Sequence, residues 1–196
     1  MSKPVGSLFH LVDRLGRPRT AWILAALEVA GLGVVNRLDF PLSVPYVRRL
    51  TGHVYLDMCA FCSSGVVENE LRALGDRGRL LQALLLCTID LLIPILSCAL
   101  GVSALTALTR NGRGSGWTRW LLALPLAAMT LDFAENGAIA ALLLRYPEPA
   151  PLLAAFEGIF SGLKFAAYGA TVIAILGLFT MKTARRLTMH SGVLSR

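Results

Sequence analysis

Apolar positions in this chain fall in long runs separated by short charged stretches, the pattern of helices that face lipid. Four stretches, about 20–36, 80–108, 117–144 and 151–181, approach or exceed the roughly 20 mostly apolar residues that a helix needs to cross a hydrocarbon core. The first is the shortest. Between the first two spans lies a mixed outer segment, 37–79, in which Ser64 is placed to cap a short helix, "GVVENELRAL", that stops at Gly75. Before the first span, Leu8, Leu11, Val12 and Leu15 recur at helical spacing beside basic residues, which predicts an amphipathic helix on the membrane surface. The expected fold is all-α: an integral membrane four-helix bundle with short amphipathic interfacial helices, one transmembrane domain over 1–196.

Composition agrees with that reading. Of 196 residues, 55% are hydrophobic and only 16% charged, where a soluble domain carries about a quarter charged. A signal peptide is the other reading of the first apolar stretch, but the following "NRLDF" offers no small-x-small cleavage site, so a retained anchor is expected. Lys3, Arg14, Arg17 and Arg19 precede the first span, Arg110, Arg113 and Arg119 lie between the second and third, and Lys182, Arg185 and Arg186 follow the fourth. Four spans bring all three basic groups to one side, which places both termini in the cytoplasm of a multi-pass cell-membrane protein. The net charge of +7 then reads as attraction to anionic lipid headgroups; nucleic acid is not an expected partner.

Charges within the spans change the picture from an anchor to a candidate site. Each costs on the order of 2.5 to 3.5 kcal/mol at membrane depth on insertion scales, so a cluster needs a reason. Glu28 falls in the first span, Asp90 in the second, Asp132 and Glu135 in the third, and Glu157 and Lys164 in the fourth. Asp132, Glu135 and Asn136 share one helix face by their spacing of three and four. Counting about 1.5 Å per residue from the expected outer ends, Asp132, Lys164 and Asp90 lie roughly 18, 20 and 15 Å deep. A polar pocket in the outer half of the bundle is therefore expected, with Asp132, Glu135 and Asn136 facing Asp90, Glu157 and Lys164. One cation cannot neutralise four or five carboxylates, so some carboxyls are expected to keep a proton and act as donors. The alternative is that Lys164 pairs with one carboxylate and the others only hold the helices in register.

Other motifs narrow the chemistry. Cys59 and Cys62 form a C-x-x-C in the outer segment, open to readings as a structural disulfide, two free thiols or the redox pair of a quinone-linked thiol oxidoreductase. The last would need a second communicating cysteine pair, which the turn "RYPEPAP" lacks. His10, His53 and His190 are scattered, so no metal site is expected, and no cofactor. Gly158 and Gly162 form a G-x-x-x-G that suits close helix packing. No repeat or broken helix of the kind seen in transporters is legible.

The landmarks "LDM" at Leu56, "LGDRGR" ending at Arg79, "DLLIP" from Asp90, "DFAEN" from Asp132 and "LKF" around Lys164 resemble those of small four-span bacterial membrane proteins of unassigned activity. There is a further similarity to the integral-membrane terpene cyclases of meroterpenoid and indole-sesquiterpenoid pathways. That resemblance implies acid-initiated cyclisation of a prenyl or epoxyprenyl chain, the role of proton donor mapping onto Glu28, Asp90, Asp132 and Glu135. The soluble-cyclase signatures D-D-x-x-D and D-x-D-D are absent, which argues against magnesium-assisted loss of diphosphate. A lipophilic small-molecule substrate dissolved among membrane lipids is the expected partner, with Asn136, Glu157, Lys164, Phe133, Phe160 and Tyr168 lining its site. The aromatic faces suit a cation formed on the way. A non-enzymatic assembly protein and a small proton-coupled transporter are the competing classes.

Overall fold

The computed structural model describes residues 16–109 and 116–193. The expected surface helix around Leu8 to Leu15, with Lys3, Arg14, Arg110 and Arg113, lies outside the described residues. The described chain is helical without strands: α1 (Pro18–Arg37), α2 (Val44–Thr51), a 3-10 turn (Leu56–Met58), α3 (Ser64–Ala73), α4 (Gly75–Leu86), α5 (Ile89–Thr109), α6 (Gly116–Arg145) and α7 (Pro151–Val193). Four segments are long and apolar enough to cross a membrane: Pro18–Arg37, Gly75–Thr109, Trp120–Arg145 and Pro151–Ala184. The all-α, multi-pass bundle is thus present.

Two local expectations are corrected. Ser64 is the first helical residue of α3, and the capping position belongs to Ser63, whose side chain makes no cap hydrogen bond. The second span is two helices: "GDRGR" is part of α4, and the helix breaks at Cys87 and Thr88 before α5 begins. At 21 residues, α5 alone reaches roughly 31 Å, a full hydrocarbon core. Asp90 consequently sits in the first turn of α5, just past the break.

This break explains the rest of the architecture. α6 and α7 are 30 and 43 residues long, longer than one bilayer requires, and they run on past the start of α5. The segment from α2 to α4 wraps those extensions. Its apolar core joins Val47, Tyr55, Leu56, Val67, Leu71, Leu74, Leu85 and Leu86 to Ile139 and Leu142 of α6 and Ala154 of α7. Arg79 lies over the Tyr146 ring at 3.8 Å and donates to the Leu71 carbonyl at 3.1 Å. Glu68 accepts from the Ala150 amide at 3.2 Å, holding a carboxylate at the positive end of α7. The result is a folded cap on one end of the bundle.

The membrane part is built differently. α1 has no buried residue and packs chiefly on α5 and to a smaller extent on α2. α6 and α7 pack most extensively, and α5 meets α6 where a Cβ on Gly101 would overlap Pro125. At the end away from the cap, Lys182 of α7 donates to the Ala107 carbonyl of α5 at 3.3 Å.

Candidate functional site

Where the cap meets the bundle, polar side chains from five elements converge. Lys164, 6% exposed, projects from α7 and forms an ion pair with Glu135 and another with Asp132 at 3.7 Å. Its third neighbour is the backbone carbonyl of Asp57 in the 3-10 turn, at 3.4 Å. Three acceptors thus surround the three protons of the ammonium. Ser161, one turn before Lys164, donates to the same carbonyl at 3.4 Å. Tyr168, one turn after, donates to Asp132 Oδ2 at 3.0 Å. The i, i+3 and i, i+4 spacing of Ser161, Lys164 and Tyr168 is what lets α7 present all three on one face.

Asp90 differs from Asp132 in being untied. Its backbone carbonyl accepts from Asn136 Nδ2 at 3.2 Å, which fixes the first turn of α5 against α6, yet its buried Oδ2 has no hydrogen-bond partner. Glu28 of α1 is bonded by the Ser97 hydroxyl of α5, and its second oxygen is likewise buried without a partner.

A cavity of about 460 Å³ opens beside these groups, within the size range of small-molecule sites. Glu28, Asp57, Asp90, Asp132, Lys164 and Tyr168 line it, with Tyr55, Met58 and Leu85 on the cap side and Leu100, Val172 and Ile175 at the far end. Of the expected site residues, Glu135, Asn136, Glu157, Phe133 and Phe160 do not line it. Glu135 stands behind Lys164 as its counter-ion and is fully buried. Asn136 is a helix clasp. Glu157, also fully buried, has neither oxygen hydrogen-bonded. Phe160 stacks on Phe156 at 6.1 Å, whereas Phe165, near Lys164 at 5.1 Å, faces the cavity.

The residue that sequence reasoning missed is Asp57. It stands in "LDM", singled out as a landmark but placed in the mixed outer segment and not among the site residues. Its carbonyl meets Lys164 and its carboxylate accepts from Gln82 at 3.4 Å, while Gln82 also accepts from the Leu56 amide at 2.9 Å. Gln82, the lone polar residue in the apolar run 80–86 and fully buried, was the available signal.

The C-x-x-C forms a disulfide between Cys59 and Cys62, one residue beyond the cavity-lining Met58. The Phe61 amide donates to the Gly158 carbonyl at 3.0 Å. A Cβ on Gly158 would overlap the Cys62 backbone, and one on Gly162 would overlap the Phe61 ring. The G-x-x-x-G pair therefore seats this loop, where packing between helices was expected. Cys98 is a buried free thiol and Cys87 an exposed one.

Among the described residues no group of three or more His, Cys, Asp or Glu is arranged to hold a metal ion. Compared with family models, curated proteins and solved structures, the chain matches none.

Proposed function

We propose that this chain is a membrane-embedded enzyme that protonates a lipophilic isoprenoid and so isomerises or cyclises a prenyl or epoxyprenyl chain. The carrying observation is the pairing, in one largely apolar cavity, of a carboxyl held by donors with one that is not. Asp132 accepts from Tyr168 and faces Lys164, the surroundings of a carboxylate. Asp90 presents a buried oxygen that nothing engages and is the better proton donor of the two. In the proposed step the Asp90 carboxyl gives its proton to an epoxide oxygen or an alkene carbon, breaking the C–O bond or consuming the π bond. A second alkene of the chain attacks the cation, forming a C–C bond, and a neighbouring C–H proton passes to Asp132. The product is an isomer of the substrate. Phe165 and Tyr168, both lining the cavity, offer ring faces to the cation.

We place the protein in the cell membrane with the cap outside and both ends of the chain in the cytoplasm, because Arg17, Arg19 and Lys182 stand at the end away from the cap. A Glu68→Cys variant should react with a membrane-impermeant thiol reagent in intact cells, and a reporter after Arg196 should read as cytoplasmic. The opposite pattern reverses the assignment.

Activity is tested by incubating membranes with farnesylated and epoxyfarnesylated acceptors and seeking a product of unchanged mass and shifted retention. A positioned acid typically supplies about 10² to 10⁴ in rate, so Asp90→Asn should lose that much while the protein still inserts. Absence of any isomer across the substrate set, or full activity in both Asp90→Asn and Asp132→Asn, removes the proposal.

A further inference from the structure

The cavity has a direction and a side door, and together they define the ligand. The Lys164 ammonium and the carboxyls of Asp57, Asp90 and Asp132 lie at its cap end together with Met58 and Leu85, Glu28 and Ser97 lie midway, and Leu100, Val172 and Ile175 lie at the far end. On α5, lining residues run from Asp90 through Ser97 to Gly101, a rise of roughly 16 Å; on α7 they run from Lys164 to Ile175, also roughly 16 Å. The door lies between α1 and α7, which scarcely touch. Leu32 of α1 and Phe165 and Val172 of α7 line the cavity and are nevertheless 39%, 45% and 54% exposed, so they form its lipid-facing rim.

The polar end also has a definite charge preference. Among the described residues Lys164 is the only cation lining the cavity, and it is already paired with Glu135 and Asp132 and bonded to the Asp57 carbonyl. A phosphate, diphosphate or carboxylate head would meet an ammonium already shared by two carboxyls, with Asp57 and Asp90 beside it.

From this we infer that the cavity binds a single-chain lipid with a neutral oxygen-bearing head. The chain enters sideways from the bilayer between α1 and α7, the head reaches Asp90 and Asp132, and the tail lies along Leu100, Val172 and Ile175. The inference rests on reading the cavity as the substrate site but is independent of the acid step.

Two photoreactive probes test it in native membranes: a 15-carbon alcohol with a diazirine near the tail end, and its monophosphate ester. The alcohol should label Leu100 or Ile175 at least tenfold above Ile173 and Leu176, which are exposed on α7 outside the cavity. The phosphate should give equal labelling at both sets. Leu32→Trp, which narrows the rim, should slow labelling by the alcohol severalfold and leave labelling of Ile173 and Leu176 unchanged. Cavity labelling by the phosphate equal to that by the alcohol overturns the choice of head, and unchanged kinetics in both Leu32→Trp and Val172→Trp overturns the lateral route. Isomer formation scored on the same membranes separates the two proposals. Cavity labelling by an alcohol whose unsaturated analogue is never converted sustains the binding site and defeats the acid chemistry, whereas conversion without cavity labelling does the reverse.

Discussion

At the scale of single residues, the site turns on how one ammonium is shared. Lys164→Met would leave Glu135 fully buried with its counter-ion gone, and breaking one side of a buried pair typically costs about 3 to 5 kcal/mol. Combining it with Glu135→Gln removes the orphaned charge and should recover a large part of that loss. Thermal unfolding in detergent micelles measures both, and a double variant no more stable than Lys164→Met would show that Glu135 is not the partner that matters. Glu135→Gln by itself should reduce stability more than turnover, because the side chain does not reach the cavity, while Asp90→Asn should do the opposite. Much of this was legible from spacing: Asp132, Glu135 and Asn136 do share a helix face, and Lys164 does meet it. Which of them reach the cavity was not legible, because one helical face spans both the side toward α7 and the side toward α5. Asp57 was hidden for another reason. Its contact with Lys164 runs through a backbone carbonyl, which only Gln82 in the apolar run of α4 hinted at.

At the scale of elements, the glycines of α7 acquire a specific job. Gly158→Ala would drive a methyl into the backbone of the disulfide loop, and overpacking of this kind costs about 1 to 3 kcal/mol. It should also displace the Asp57 carbonyl from Lys164, since only three residues separate Asp57 from the loop's Phe61. Cys62→Ser should be milder, because the Phe61 amide still reaches the Gly158 carbonyl. Limited proteolysis at the loop ranks the two, and greater susceptibility in Cys62→Ser than in Gly158→Ala would contradict the seating described. Gly101→Ala should destabilise by a comparable amount through its clash with Pro125. Helix identity and approximate span ends were readable from apolar runs. The break at Cys87 and Thr88 was not, since neither residue is a helix breaker and the apolar run continues across it. Packing of Leu85 and Leu86 into the cap core redirects the chain there, and that force acts between elements distant in sequence.

For the whole molecule, burial is distributed against the usual expectation for a membrane bundle. Its principal hydrophobic cluster lies in the cap, while α1 contributes no buried residue at all. Thr51 and Gly78 fit α2 against α4 closely, with the Thr51 methyl group 3.0 Å from where a Gly78 Cβ would be. The cap nevertheless is not self-sufficient, for Ile139, Leu142 and Ala154 complete it from α6 and α7. This imposes an order on biogenesis. A ribosome makes residues 37–86 long before Ala154, so the cap segment leaves the translocation machinery with Val47, Leu56, Val67 and Leu71 lacking the surface they are built to cover. Until the last two helices arrive, that segment should be open to proteolysis. A chain ended after residue 115 should therefore be cut within 44–86 by a protease added on the cap side, while the full chain resists. Equal resistance of the two would mean that the cap finds its fold before its final walls are made.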